Sequence, residues 1–392
     1  MNMPKLLTYL IVLTSLFASA PGASARTWHV EQDGTGDYSV IQDAVNAAES
    51  GDVIEIGPGW YREYTEINIP NNVVWGCHIY NTVPDLTFVG DGVGHTIIGL
   101  EDGEKSEWYT VGICSTNGVE SVRLFDVEFI HCSEYAIYQG SGLLEMNSCG
   151  VVDSRRGIFG LFPGGATVTN CEFVNLTDMA IATQVAGGMS IDNCTFDNCR
   201  EGFLFQWSSS ADCDVTNCTF IAGDQGWGGG LYNDGATGAV RHCRFDGQVN
   251  YGIGMQRSGV LVIEDNLLEN IDGAGVAIVS PELLYGRNNL INNCGIGVFA
   301  FTPGHLDFHD NHIFRRPGGL FASTSEYYPG EPRYIDLTRN YWGTTDLDEL
   351  ADGIFDGNDS DLVSLYFVID PVADGPVPAE RKSFGDVKAL YR

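Results

Sequence analysis

Short apolar stretches of two to four residues recur along most of this chain, each cut off by Gly, Asn or Asp, and they recur at a nearly fixed interval. The clearest series is Ser148-Cys149-Gly150-Val151, Asn170-Cys171-Glu172-Phe173, Asn193-Cys194-Thr195-Phe196, Asn217-Cys218-Thr219-Phe220 and His242-Cys243-Arg244-Phe245, with steps of 22, 23, 24 and 25 residues. It extends backwards to Asp126-Val127-Glu128-Phe129 and forwards to Asp265-Asn266-Leu267-Leu268, Asn288-Asn289-Leu290-Ile291 and Asp310-Asn311-His312-Ile313, at steps of 22 or 23, so nine coils share one register. A second row pairs a small residue with an apolar one, from Ala136-Ile137 and Gly157-Ile158 through Gly202-Phe203, Gly230-Leu231 and Gly252-Ile253 to Gly319-Leu320. A third stretch, such as Thr167-Val168 or Ser190-Ile191, precedes each anchor. Three brief strands separated by turn residues make one triangular rung, and a repeat of this period is the signature of a solenoid.

The pattern predicts an all-β, right-handed parallel β-helix with an N-terminal capping helix and a short C-terminal cap. Stacked rungs satisfy each other's backbone groups about 4.8 Å apart and bury a continuous apolar column, leaving only the two ends to be covered. Residues 38–49 read as an amphipathic helix with Ile41, Ala44, Val45 and Ala48 on one face, placed before a first strand at Val53–Ile56. At the other end residues 346–355 offer a short helix and Val363–Val368 a last strand.

In this frame Cys149, Cys171, Cys194, Cys218 and Cys243 form a column, continued by Asn266, Asn289, Asn311 and Asn340. Neighbouring coils lie within disulfide range, so bridging stays open beside free stacked thiols, which the column favours. No pair of cysteines has the C-x2-C spacing of a zinc site. Four sequons begin at Asn175, Asn193, Asn217 and Asn358, but Asn193 and Asn217 lie in the anchor row, where repeat geometry accounts for them.

The start of the chain adds a destination. Lys5, the apolar run Leu6 to Phe17 and the small residues Ala23-Ser24-Ala25 have the order of a cleavable export signal, and the apolar run is too short for a membrane anchor. We expect residues 1–25 to be that signal, 26–375 a single β-helix domain with its caps, and 376–392 a flexible tail, in a secreted, periplasmic or surface protein. A net charge of -32 argues against nucleic acid, whose binding draws on Lys and Arg. The same charge repels acidic polysaccharides unless a divalent cation intervenes, and leaves neutral glycans unaffected.

Some of these residues are familiar. Gly34-Thr35-Gly36-Asp37-Tyr38 leading into Ile41-Gln42-Asp43-Ala44-Val45, then Gly59-Trp60-Tyr61-Arg62-Glu63 and Phe88-Val89-Gly90-Asp91-Gly92, resemble the opening of pectinesterases and of other pectin lyase-like proteins. The rungs and Asn340-Tyr341-Trp342-Gly343-Thr344-Thr345 resemble bacterial β-helix repeat proteins related to the NosD periplasmic family. The resemblance implies the fold. It does not carry an activity, because the Gln-Asp-Thr-Leu, Asp-Phe-Ile-Phe-Gly and Leu-Gly-Arg-Pro-Trp segments of pectinesterases are absent, as are the polygalacturonase and alginate epimerase sets.

Candidate chemistry therefore comes from alternation. With Ile137, Ile158, Ile181, Phe203, Leu231 and Ile253 inward, the next residue and the one two further on face out: Tyr138, Phe159 and Tyr232, then Gln184, Gln206, Asp234 and Gln256. Rings beside amides and a carboxylate suit a sugar. Gly202 to Gly230 spans 28 residues where 22 is usual, so Asp224-Gln225-Gly226-Trp227 should protrude. With Gln206, Trp207, Trp227, Tyr232, Asn233 and Gln256 it forms the expected binding cleft for a polysaccharide or glycoconjugate, against the plainer view that Trp227 covers apolar surface. If the protein is a polysaccharide lyase or glycoside hydrolase, Asp224, Asp234 and Arg257 are the catalytic candidates. No cofactor is expected, although the oxygen-rich run from Asp356 to Asp361 leaves Ca2+ open, against a solvated turn.

Overall fold

The computed structural model describes residues 25–375 apart from 70–72, 103–108, 116–117, 120, 141, 184–186, 207–211, 224–227, 258, 280–282, 302–304, 326–327, 371 and 374. The expected signal and tail therefore lie outside the described residues, as do Gln184, Trp207, Asp224 and Trp227.

The strands stack into three parallel ladders that run the length of a right-handed β-helix. The first ladder is a 12-stranded sheet from Thr27–Val30 to His305–Phe308, and the other two merge into one 22-stranded sheet because Leu290–Ala300 and His312–Ser323 run through both. The residues after the small anchors are register partners coil by coil, Ile137 with Ile158, Ile181, Phe203, Leu231, Ile253, Val276 and Val298, and all are buried. In the second ladder Phe173, Phe196, Phe220 and Phe245 stack at centroid spacings of 5.0, 4.6 and 4.6 Å, with their planes within 5°.

The turn residues explain the repeat. Between the first and second ladders Asp126, Ser148, Asn170, Asn193, Asn217, His242, Asp265, Asn288 and Asp310 all take φ of 52–58°, a left-handed conformation that Asn and Asp tolerate best among non-glycine residues. A second such column, His131, Asp153, Asn175, Asn198, Asn270 and Asn293, turns the second ladder into the third. Its side chains also form a ladder, with Asn175 Nδ2 donating to Asp153 Oδ1 at 2.8 Å and Asn198 Nδ2 to Asn175 Oδ1 at 2.8 Å. The Asn175 sequon thus belongs to repeat geometry like those at Asn193 and Asn217.

All 11 cysteines are free and buried. Four of the five thiols of the column, those of Cys149, Cys194, Cys218 and Cys243, point at the carbonyl that an Asn amide takes in later coils: Cys194 Sγ lies 3.5 Å from Val168 O and Cys243 Sγ 3.5 Å from Val215 O, as Asn266 Nδ2 lies 2.8 Å from Val240 O. Burial pushes the thiols of Cys132 and Cys199 up to about 12, which keeps them protonated and unreactive.

Two expectations at the N-terminal end are corrected. The first strand is Thr27–Val30, paired in parallel with Val53–Ile56, so the helix falls between the first two strands. That helix is only Ile41–Ala47, because Tyr38 is held extended by hydrogen bonds with His29 O and Glu31 N and Val40 is extended as well. Ile41, Ala44 and Val45 bury against the first coil. At the other end the helix is Leu347–Asp352, capped by the Asp346 carboxylate, and Val363–Val368 pairs with Tyr328–Asp336.

Candidate functional site

The outer face of the third ladder gathers the groups singled out from the sequence. Its outward column runs Tyr138, Phe159, Ala182, Leu204, Tyr232 and Gly254 in register. Two strand positions beyond Tyr232, Asp234 lies between Gln206 and Gln256 in neighbouring coils. The backbone alone places Gln206. The Tyr232 hydroxyl donates to Gln256 Oε1. Arg257, at φ 68°, brings Nε to 3.1 Å from Asp234 Oδ1. Asp234 is buried and this oxygen accepts no hydrogen bond, so the contact is a charge pair whose N–H misses the line to the oxygen. Asn233 faces inward: its amide donates to Ala236 O at 2.9 Å and accepts from Ala236 N at 2.8 Å, which commits it to closing the turn.

Two further residues complete the cluster. Glu201 is the register partner of Gly229, which in turn pairs with Tyr251. Because Gly229 lacks a side chain, the Tyr251 ring lies across it; a Cβ there would sit 2.1 Å from Cε2. Tyr251 and Tyr232 are 5.6 Å apart between ring centroids. Burial pushes the Glu201 carboxyl above the ordinary carboxylate value and Asp178 adds to it, with Arg200 opposing. Burial first, then the Glu201 charge, raises the Tyr251 hydroxyl in the same way. Beside this cluster Arg200, Gly223, Gly228 and Gln248 line a hollow with room for about one water.

Alternation alone did not find Glu201 and Tyr251. Each immediately precedes a small anchor residue, Gly202 or Gly252, at the corner where the chain enters the third ladder. Tyr135 and Arg156 hold the same place in earlier coils, so the repeat did contain the signal.

Toward the N-terminal end the same face becomes aromatic. Tyr135 and Tyr138 stack near Phe159 at 5.1 and 6.0 Å, and the edge of Trp75 meets Tyr138 at 4.9 Å. Arg156 ties the patch together, Nη1 donating to Glu134 Oε1 at 2.9 Å and to the Tyr135 hydroxyl at 3.1 Å, and Nε donating to Asp178 Oδ2 at 2.9 Å.

Among the described residues no group of three His, Cys, Asp or Glu side chains is placed to hold a metal ion. In the oxygen-rich loop Asp356 is buried, not solvated, and both its oxygens are engaged, by Asn358 N at 2.8 Å and Phe367 N at 3.0 Å, so it clasps the last strand.

Comparison with known proteins agrees with this architecture. Over 84 residues, 20% of this chain, the sequence is 37% identical to the putative pectinesterase/pectinesterase inhibitor 38 of Arabidopsis thaliana, and the match spans only 15% of that relative. The solved Agl-KA catalytic domain superposes with a TM-score of 0.53 at 12% identity, covering 90% of this chain and 69% of that one. The A-module of mannuronan C-5 epimerase AlgE4 from Azotobacter vinelandii gives 0.47 at 12% identity, covering 85% and 94%. At 12% identity the Agl-KA superposition speaks for the fold alone. The sequence profile of the right handed beta helix region matches residues 111–255 and 229–329, more than half of the chain, and the protein belongs to that family.

Proposed function

We propose that this is an exported carbohydrate-binding β-helix that takes a polysaccharide or glycoconjugate on the outer face of its third ladder. The observation that carries the reading is the convergence of Tyr232, Tyr251, Gln256, Asp234, Arg257 and Glu201 in adjacent coils. Rings offer flat apolar surfaces to sugar C–H faces, while the carboxylates and the amide serve its hydroxyls. The outward column repeats from coil to coil, with Tyr138, Phe159 and Tyr232 partly exposed, which suits a ligand that is itself a chain. The leader at residues 1–25 would deliver the protein to the periplasm, the cell surface or the medium, where such polymers occur. The charge of -32 disfavours nucleic acid. No cofactor enters this reading.

A polysaccharide lyase or hydrolase is the second reading, and Glu201 is what favours it. Glu201, pushed up by burial, and Asp234, charge-paired with Arg257, both act on Tyr232 and are two acids in unequal environments, the usual condition for one to hold a proton while the other stays ionised. The test is a glycan array run with a product assay, reducing ends plus unsaturated uronides, with and without calcium. Binding without products makes the protein a recognition module. Products that vanish in Asp234→Ala make it an enzyme centred on this face, and neither result would leave a scaffold.

A further inference from the structure

The chemical character of the unfilled groups narrows the ligand further. The carboxylates of the face are hydrogen-bond acceptors: Asp234 Oδ1, buried against the Arg257 guanidinium, accepts no hydrogen bond, and the Glu201 carboxyl is pushed up by burial and by Asp178. Groups of this kind call for donors, which sugar hydroxyls supply, and they repel a uronate. Three arginines of this side already face carboxylates, Arg155 and Arg156 those of Glu134 and Asp178, and Arg257 that of Asp234, and the exposed Arg200 acts on the Glu201 charge. A second sugar-stacking surface lies on the same face, where Tyr138 and Phe159 present nearly parallel rings, 20° apart.

These two places share one column. Phe159, Ala182, Leu204 and Tyr232 are consecutive register partners, so three coil steps, about 14 Å, separate the aromatic patch from the polar cluster. Of the two residues between them, Ala182 is buried. We infer that the ligand is an uncharged polysaccharide lying across the coils, seated on Tyr138 and Phe159 at one end and on Glu201, Tyr232 and Asp234 at the other. The inference rests on the glycan-binding reading and adds its charge class, its direction and a second subsite. A disaccharide reaches one seat only; an oligosaccharide long enough to span both gains from linking them.

Calorimetric titration with size-graded oligosaccharides from cellulose, starch, laminarin and xylan, against matched series from polygalacturonate and alginate, tests it. The expected result is binding to a neutral series, unaffected by salt, with affinity that rises with length until both seats are spanned. Phe159→Ala should reduce the affinity of the longest oligomer by roughly fivefold. Phe159→Leu, which keeps apolar volume and removes the ring, should do the same and guards against a folding defect. Binding to the uronate series in place of the neutral ones would overturn the inference and leave the glycan reading standing. Neutral binding without length dependence would overturn the second subsite, and binding to no series would overturn both the inference and the reading it rests on.

Discussion

The column that begins as cysteine and ends as asparagine makes a quantitative prediction at Asn289. Its side chain is buried and sits in four hydrogen bonds: Nδ2 donates to Ile263 O and Asn311 Oδ1, each at 2.8 Å, while Oδ1 accepts from Asn266 N at 3.1 Å and Asn266 Nδ2 at 3.0 Å. Asn289→Ala removes all four and leaves the Asn266 backbone N–H buried without its partner. At about 1 kcal/mol for each bond, with a further 1–3 kcal/mol for the orphaned donor, the loss should be about 5–7 kcal/mol. Asn289→Cys should be milder, about 2–3 kcal/mol, because a thiol can donate to Ile263 O as Cys243 does to Val215 O, though it cannot accept well from Asn266. Urea unfolding measures both as midpoint shifts at unchanged slope. Equal losses in the two variants, or a loss under about 1 kcal/mol in Asn289→Ala, would refute the idea that thiol and amide do one job in this column.

Two further outcomes follow from the site. The folded value of the Glu201 carboxyl lies above the ordinary 4.5, so the unfolded chain loses this proton first as pH rises. Its contribution to stability is therefore full below 4.5 and declines as pH climbs through the raised value; Glu201→Gln should melt with the wild type in acid and above it at neutral pH, and a constant difference across pH would count against the buried carboxyl. Gly229→Ala places a methyl 2.1 Å from the Tyr251 ring and should push the ring off its seat, weakening glycan binding by about tenfold in titration, while far-ultraviolet circular dichroism stays unchanged.

The architecture was legible because backbone geometry imposes residue types. A left-handed turn at every coil admits few residues besides Gly, Asn and Asp, so Asn170, Asn193 and Asn217 mark the period in the sequence itself. The stacked Phe173, Phe196, Phe220 and Phe245 repeat for a similar reason, since only one shape tiles a column at this spacing. Thr27–Val30 was illegible as a strand because it alternates exposed and buried residues with no turn anchor before it. On the site face, alternation put Tyr232, Asp234 and Gln256 in adjacent coils, as the register has them, but it passed over Glu201 and Tyr251, where a corner breaks the two-residue period. Asn233 shows the converse. Its residue type suited a sugar, yet the sharp turn to Ala236 needed the same amide.

Why the cluster lies on the third ladder can be read from the connections. Between the first and second ladders two residues intervene at every coil from Phe125–Glu128 to Arg287–Leu290, one of them in the left-handed turn and the next in the Cys and Asn column. That corner is locked twice, by backbone conformation and by buried hydrogen bonds, so it tolerates neither insertion nor new chemistry. The connections that enter the third ladder carry a left-handed residue too, but there and at the exit from that ladder the length changes from coil to coil. Residues 222–228 precede Gly229–Asp234, whereas only 198–200 precede Glu201–Gln206, and only Gly235 and Ala236 follow Asp234 where residues 161–165 follow Gly160. Solenoids accept loop growth where it costs no stacking, and connections of changing length give each coil a different polar surface. The Glu201, Tyr232, Tyr251 and Asp234 cluster sits between these variable connections, on the one face whose flanks the repeat leaves free to differ.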